Sequence, residues 1–305
     1  NCIRAVEIHA DSFAQTRDKV VTLLTGHDFT PVEAAMLADQ WLIQADFLLV
    51  RLPTEFDFVI GNPPYVRQEL IPAPLLKEYR RRYTTLYDRA DLYIPFFERG
   101  LQLLKEGGKL SFICADRWMK NRYGGPLRGL VPRDFHLQAY VDMVDTQAFQ
   151  ADVIAYPAIT MIERACPGPT LVAVQPEIER SHLHALARAL RGDVEILPSS
   201  VHRLEGVANG EEPWVLQFAD ATDLVRRIER TFPRLEETAC RVGIGVATGA
   251  DKVYIAKFDD LDIEPSRKLP LAMTRDRQTG LIKWRGFGVV NPCTDEGPLV
   301  NLLDY

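Results

Sequence analysis

The sequence predicts an α/β sheet with crossover helices, followed beyond residue 169 by a second domain of mixed α+β character. Short β-branched and apolar runs alternate with helical patterns up to residue 165 or so, the signature of strands joined by crossovers. Cys166-Pro-Gly-Pro169 then punctuates the chain, and the pattern beyond it changes. A length of 305 residues suits two domains better than one. The expected division is therefore 1–168 and 169–305.

Candidate strands, in order, are residues 3–8, 47–50, 56–61, 109–114, 137–144 and 153–162. Between the third and fourth, Leu92, Phe96, Phe97, Leu101 and Leu104 have the three-and-four spacing of a helix buried on one face, and Gly107-Gly108 is expected to stop it. The last two strands are separated by too short a stretch for a crossover helix, which predicts antiparallel pairing. In the second domain, helices are expected at 181–190 and 221–231, with strand-like segments from Val242 onward. Gly243-Ile-Gly245-Val-Ala-Thr-Gly249 superficially suggests a dinucleotide-binding loop. Such a loop needs a following helix, and Lys252-Val-Tyr-Ile-Ala256 reads as strand, so a strand, turn and strand is expected instead.

Composition narrows the function. Apolar residues make up 47% and charged residues 26% of the chain, as in a globular protein, and no apolar run approaches the roughly 20 residues that cross a bilayer. No membrane role is expected, and Asn1-Cys-Ile-Arg does not open like a signal peptide. The five cysteines are odd in number and lack Cys-x-x-Cys spacing. Neither a disulfide framework nor a zinc site is indicated, no metal is expected, and a cytoplasmic setting is inferred. A formal charge of -6 argues against nonspecific coating of nucleic acid but leaves room for a local basic cleft. Basic residues cluster at Tyr79-Arg80-Arg81-Arg82-Tyr83 and from Arg117 through Arg122 to Arg128, which also suits a solvated helix face.

The most informative segment is Phe56-Asp-Phe-Val-Ile-Gly61-Asn62-Pro63-Pro64-Tyr65, an apolar strand that runs into a rigid polar turn. Consecutive prolines fix two φ angles and remove two backbone donors, which leaves carbonyls free to accept bonds from elsewhere. Asn-Pro is also an ordinary turn former. In open α/β sheets, however, ligands bind outside the carboxyl ends of strands, and this turn stands at such an end. An amide oxygen and a proline carbonyl there form a two-acceptor clamp. An exocyclic amine held in it keeps its lone pair available to a methyl electrophile, while Tyr65 offers a flat face for the ring that bears the amine.

Asn62-Pro63-Pro64-Tyr65 resembles the catalytic motif of amino-group methyltransferases that use S-adenosylmethionine. The surrounding chain resembles the TaqI-type, NPPY-bearing gamma-class DNA adenine-N6 methyltransferases of type II restriction-modification systems. The resemblance implies a Rossmann-like methyltransferase sheet, mostly parallel with an antiparallel last strand, over 1–168, and a target-recognition domain over 169–305 that is expected to be incomplete. Ala5-Val6-Glu7-Ile8 resembles the family's second strand, which implies cofactor contacts from Glu7, through the ribose hydroxyls, and from Ile8. Ala45-Asp46-Phe47-Leu48 resembles the next cofactor motif, with Asp46 accepting from the cofactor adenine amine and Phe47 beside it. Asp91-Leu-Tyr-Ile-Pro-Phe96-Phe97-Glu98 resembles the helix that packs an aromatic side chain on the same adenine, here Phe96, although Phe96 also fits an apolar core stripe. The stretch 147–159 resembles the segment whose aromatic residue sandwiches the target base against the motif tyrosine, which implies Phe149, with Tyr156 as the alternative.

The sequence departs from that pattern twice. The family's glycine-containing cofactor loop precedes the Glu7 strand and has no counterpart in these residues. Glu7 and Asp46 are also separated by an extra helix-like stretch at 30–41. The expected reaction is methylation of a flipped adenine in double-stranded DNA, with no metal and no covalent enzyme intermediate. A restriction or specificity module is expected in the same full-length protein or in a separate subunit. Gly245-Val-Ala-Thr-Gly249 to Ile255 and Gly288-Val-Val-Asn-Pro292 carry a weaker resemblance to the recognition region. Three alternatives stay open at this stage: a protein-glutamine methyltransferase, which uses the same turn; methylation of an RNA adenine; and a non-catalytic DNA-recognition subunit.

Overall fold

The computed structural model describes residues 3–144, 146, 157–194, 196–216, 227–228, 231–233, 237–238, 240, 248–278 and 281–293. The chain divides into two compact units, Asn1–Ile228 and Glu229–Tyr305.

The first unit begins with β1 (Ala5–Glu7), α1 (Ala10–Thr25), α2 (Pro31–Trp41) and β2 (Leu42–Gln44). β1 and β2 pair in parallel, with Ala5 opposite Leu42 and Glu7 opposite Gln44. The extra helix-like stretch seen in the sequence is α2. It starts where local chemistry directs: the Thr30 hydroxyl accepts from Glu33 N–H, the Glu33 carboxylate accepts from Thr30 N–H at 2.9 Å, and Pro31 occupies the first turn.

A six-stranded mixed sheet follows, built from β3 (Phe56–Gly61), β4 (Leu104–Ala115), β5 (His136–Asp142), β6 (Pro157–Glu163), β7 (Thr170–Val174) and β8 (Val201–Leu204) in the order β3-β4-β6-β5-β7-β8. β3 runs parallel to β4, and β5 parallel to β7. β6 is antiparallel to both of its neighbours, as the short connection after β5 predicted. The α/β class is as expected: β3, β4, β5 and β7 share one direction, and β6 and β8 run against them.

Helices α3 (Ala73–Arg82), α4 (Tyr93–Gln102), α5 (Gly125–Asp134) and α6 (Arg180–Arg191) cover this unit. The core is contiguous and aromatic, with Tyr93, Phe97, Phe112, Trp118 and Trp214 all buried. Trp118 meets Phe97 at 5.2 Å and Trp214 edge-on at 5.3 Å between ring centroids. α4 lies close on the sheet because Gly100 has no side chain: a Cβ there would stand 2.5 Å from Leu110 Cδ1.

Several expectations are corrected. Residues 47–50 form a turn, and the second strand is β2 at Leu42–Gln44. The Asp46 carboxylate accepts from Leu48 N–H at 2.8 Å, and Leu49 and Val50 N–H both turn back to the Asp46 carbonyl, which curls an apolar run that composition alone reads as extended. The fourth helix stops at Gln102 rather than at Gly107-Gly108, and β4 starts at Leu104 with a register shift against β3. Cys166–Pro169 is a turn inside the sheet, not a boundary, since β7 and β8 extend the same sheet. The units divide at 228/229 instead of 168/169.

In the second unit, β10 (Lys268–Pro270), β13 (Phe287–Val290) and β9 (Ile255–Lys257) form a small antiparallel sheet in that order, and β11 (Arg277–Gln278) pairs with β12 (Leu281–Ile282). Asp251–Tyr254 is a single helical turn where strand was expected. Most of the expected helix at 221–231 and the strand from Val242 lie outside the described residues.

Candidate active site

Parallel pairing sets strand ends side by side in two pairs, β1 with β2 and β3 with β4. The β1 end carries Glu7 and the β2 end leads to Asp46, with Ala45 N–H donating to the Glu7 carbonyl at 3.1 Å. β3 ends at Gly61 and passes into Asn62-Pro63-Pro64-Tyr65, while β4 leads to Asp116. Asn62 is exposed, Pro63 is buried, Pro64 is half-buried, and Tyr65 keeps 46% of its surface open. The turn thus projects an amide side chain and one aromatic face outward from a strand tip.

A cavity of about 300 Å³ adjoins this tip. Its lining brings together four of the residues singled out in the sequence, Asn62, Pro63, Phe47 and Phe96, with Val6 of β1 on the opposite wall. Phe47 and Phe96 are stacked, 5.0 Å between centroids and 28° between planes. Glu7, Ile8 and Asp46 do not line the cavity; Glu7 and Ile8 follow its Val6 wall and Asp46 directly precedes Phe47. Pro64 and Tyr65 lie beyond it in the chain. Phe149 and Tyr156 lie outside the described residues.

The two carboxylates are already oriented. Glu7 Oε1 accepts from His9 N–H at 2.8 Å. Asp46 accepts from Leu48 N–H through Oδ1 and from the Tyr79 hydroxyl through Oδ2 at 2.5 Å. An ionised carboxylate has about four lone-pair sites, so both groups retain acceptor capacity. Burial, and then the Asp46 carboxylate, push the Tyr79 hydroxyl well above its usual range, so it stays a donor that holds Asp46 in place.

Tyr65 is backed by a second layer that the sequence reading missed. Its ring lies 6.2 Å from that of Tyr93, and the Tyr93 and Tyr123 hydroxyls are 2.9 Å apart. The Tyr65 hydroxyl is pushed up to about 12, first by burial and then by Cys114. The Asp116 carboxylate at the end of β4 accepts from the buried Tyr140 hydroxyl at 2.9 Å and faces Lys120 at 3.4 Å. A polar residue directly after a buried strand was the available signal for Asp116. Tyr79, Tyr93 and Tyr123 carry no comparable mark, since their partners are distant in sequence. Among the described residues, Glu177, Glu179 and His182 could together offer three ligand atoms to an ion, but all are exposed. No described helix is long and apolar enough to cross a membrane.

Residues 8–149 match the family described as Eco57I restriction-modification methylase. The chain is 58% identical over 308 residues to the type II methyltransferase M.PaeR7I of Pseudomonas aeruginosa, covering 100% of this chain and 53% of that protein. It is 53% identical over 307 residues to M.XhoI of Xanthomonas vasicola, covering 99% and 56% respectively. The chain therefore spans about half the length of the curated relatives it matches. Among solved structures, the fold is similar to the DNA-bound ATP-dependent Type ISP restriction-modification enzyme LlaBIII, with a TM-score of 0.50 and 12% identity, over 83% of this chain and 20% of that one. By sequence, residues 8–149 are similar to the Eco57I restriction-modification methylase family, and the chain as a whole is similar to type II methyltransferases.

Proposed function

We propose that this chain is the catalytic and recognition part of a site-specific DNA adenine-N6 methyltransferase of a restriction-modification system. The observation that carries the reading is the exposed Asn62 at the tip of β3, which lines one cavity with the stacked Phe47 and Phe96 and is followed by the half-open ring of Tyr65. S-adenosylmethionine bound in that cavity supplies an activated methyl group on sulfur. The donor set fits it: aromatic faces for an adenine ring and oriented carboxylates at two neighbouring strand ends. Phe47 and Phe96 would hold the adenine, Asp46 would accept from its amine, and Glu7, with Ile8 beside it, would take the ribose hydroxyls.

The substrate amine is held from the other side of the same turn. An adenine amine inside a duplex is occupied by pairing and covered by stacking, so the base has to leave the helix, at a cost of a few kcal/mol. Stacking on an aromatic face returns roughly 1–3 kcal/mol per base. Tyr65 provides one such face and Phe149 is proposed for the other. The Asn62 side-chain oxygen and the Pro63 carbonyl then accept the two amine hydrogens, which draws the nitrogen out of conjugation and presents its lone pair. The first unit, Asn1–Ile228, is read as the methyltransferase part and the second, Glu229–Tyr305, as target recognition. The names of the relatives favour DNA over a protein glutamine as substrate, and a DNA substrate implies work in the cytoplasm. A restriction or specificity module is proposed in the remaining length of the full protein or in a partner subunit.

Asn62→Ala in the full-length protein tests this reading. The expected outcome is a fall in methyl transfer to DNA on the order of 10²–10³, as for other oriented polar partners of a transition state, with DNA affinity preserved. Methylation near the wild-type rate would defeat the assignment.

A further inference from the structure

Between Pro265 and Val290 the second unit carries six basic residues, Arg267, Lys268, Arg275, Arg277, Lys283 and Arg285, against one acidic residue, Asp276. Asp276 is buried; it pairs with the Arg285 guanidinium and accepts from Met273 N–H at 2.8 Å. Among the described residues, Lys268, Arg275 and Lys283 form no ion pair. Beside these charges runs an unusual stretch. Leu281, Ile282, Lys283, Trp284 and Arg285 are exposed in succession, with Leu281, Ile282 and Trp284 at 76%, 68% and 46%. Single exposed apolar residues are ordinary, but three within four positions on a short strand and its exit mark a contact surface.

The surface is held rigid. Trp284 Nε1 donates to the Phe287 carbonyl at 2.8 Å, and its ring meets Phe258 edge-on at 5.6 Å. Lys257 Nζ stands 4.4 Å from the Phe287 ring centre and Lys268 Nζ 4.9 Å from that of Phe258. The Lys257 ammonium also donates to the Arg285 carbonyl at 2.8 Å. Phe258 thus ties Trp284 to Lys268, and Phe287 ties it to Lys257. A neutral protein partner would suit the apolar residues alone. The excess of unpaired cations calls for a polyanion that also offers apolar edges, and duplex DNA supplies both, as phosphates along its backbone and thymine methyls and base edges in its grooves. A two-stranded ribbon is also of a size that the major groove admits.

We infer that the β11–β12 ribbon with Lys283–Arg285 is the edge by which the second unit docks on duplex DNA. Lys283, Arg275 and Lys268 meet phosphates, and Leu281 and Ile282 enter the groove. The inference rests on the methyltransferase reading for the identity of its ligand and extends it to named residues. The test uses the full-length protein with a mixed-sequence 30-bp duplex and with genomic DNA as methyl acceptor. Lys283→Ala is expected to weaken duplex binding several-fold for all sequences, and to lower the slope of log affinity against log salt by about one. Leu281→Ser with Ile282→Ser is expected to raise KM for genomic DNA by about tenfold, the weight of one lost base-edge contact. Cofactor affinity and Tm stay at wild-type values in both. Unchanged duplex affinity and KM in these variants would overturn the inference while leaving the methyltransferase reading intact. So would a lowered Tm or an altered oligomeric state, which would show that the ribbon packs against protein. A wild-type protein that binds no duplex at all would overturn both.

Discussion

Tyr65 works as a neutral ring. Burial and the neighbouring Cys114 push its hydroxyl up to about 12, so its charge does not change across the pH range in which such a protein is assayed, and any loss of activity below pH 9 has to come from other groups. Tyr65→Phe is expected to retain most of the activity and Tyr65→Ala to lose base affinity, because the proposed contribution is the face of the ring. Phe96 makes a parallel case. It stacks on Phe47 at 5.0 Å, and Phe96→Ala should weaken cofactor binding about tenfold in calorimetric titration; an unchanged affinity would leave Phe96 a core residue only. Burial lifts the Asp91 carboxyl above its ordinary range, with Arg67 opposing, Glu69 adding and Arg117 opposing again. A carboxyl raised in the folded state favours folding fully below its unfolded value near 3.8 and loses that contribution as the pH rises through its folded value. Asp91→Asn should therefore raise Tm at pH 7 by about a degree or two and leave it unchanged near pH 3; a lower Tm at pH 7 would show that the charge has a native partner. At this scale the catalytic turn was legible, since two prolines after an apolar strand leave few conformations. The bond from Tyr79 to Asp46 was not, because it spans 33 residues and is fixed only when α3 packs beside the β2 end.

At the scale of elements, apolar pattern gave the positions of β3, β4, β5 and α6 to within a few residues. It failed where a side chain outbid propensity. Residues 47–50 are apolar enough for a strand, yet the Asp46 carboxylate and carbonyl capture three backbone N–H groups and close a turn. That turn carries Phe47 to the cavity, so the misreading fell at the site itself. The segment after β8 was likewise illegible as part of the first unit. Arg128 explains its placement: buried in α5, it donates to the carbonyls of Glu211 at 2.8 Å, Glu212 at 2.9 Å, Asn121 at 2.8 Å and Trp118, which ties residues 211–212 to the core beside Trp214. Arg128→Met would leave those acceptors without a donor and is expected to cost about 3–5 kcal/mol, read as a lower urea midpoint and faster proteolysis near residues 205–216. A change under 1 kcal/mol would mean that water replaces the guanidinium.

Across the whole molecule, the amino-terminal unit carries the Asn62–Tyr65 turn at a strand end beside an aromatic cavity, and the carboxyl-terminal unit carries a small antiparallel sheet with a basic, apolar edge. Cys166–Pro169 looked like a domain boundary because prolines and glycine end any element, whether the chain is leaving a domain or only turning into β7. The second unit was legible only as β structure with glycine turns, since short strands of 2–4 residues carry too few positions for alternation to register. Both units serve one claim, that Asn62 and Pro63 grip an exocyclic amine beside Tyr65. Its most direct measurement is mass spectrometry of nucleosides from unmethylated DNA treated with the full-length protein and methyl-labelled S-adenosylmethionine. Label is expected in N6-methyladenine alone, at a level lower on the order of 10²–10³ with Asn62→Ala. Label on cytosine, or on adenine at an equal level in the Asn62 variant, would contradict the assignment.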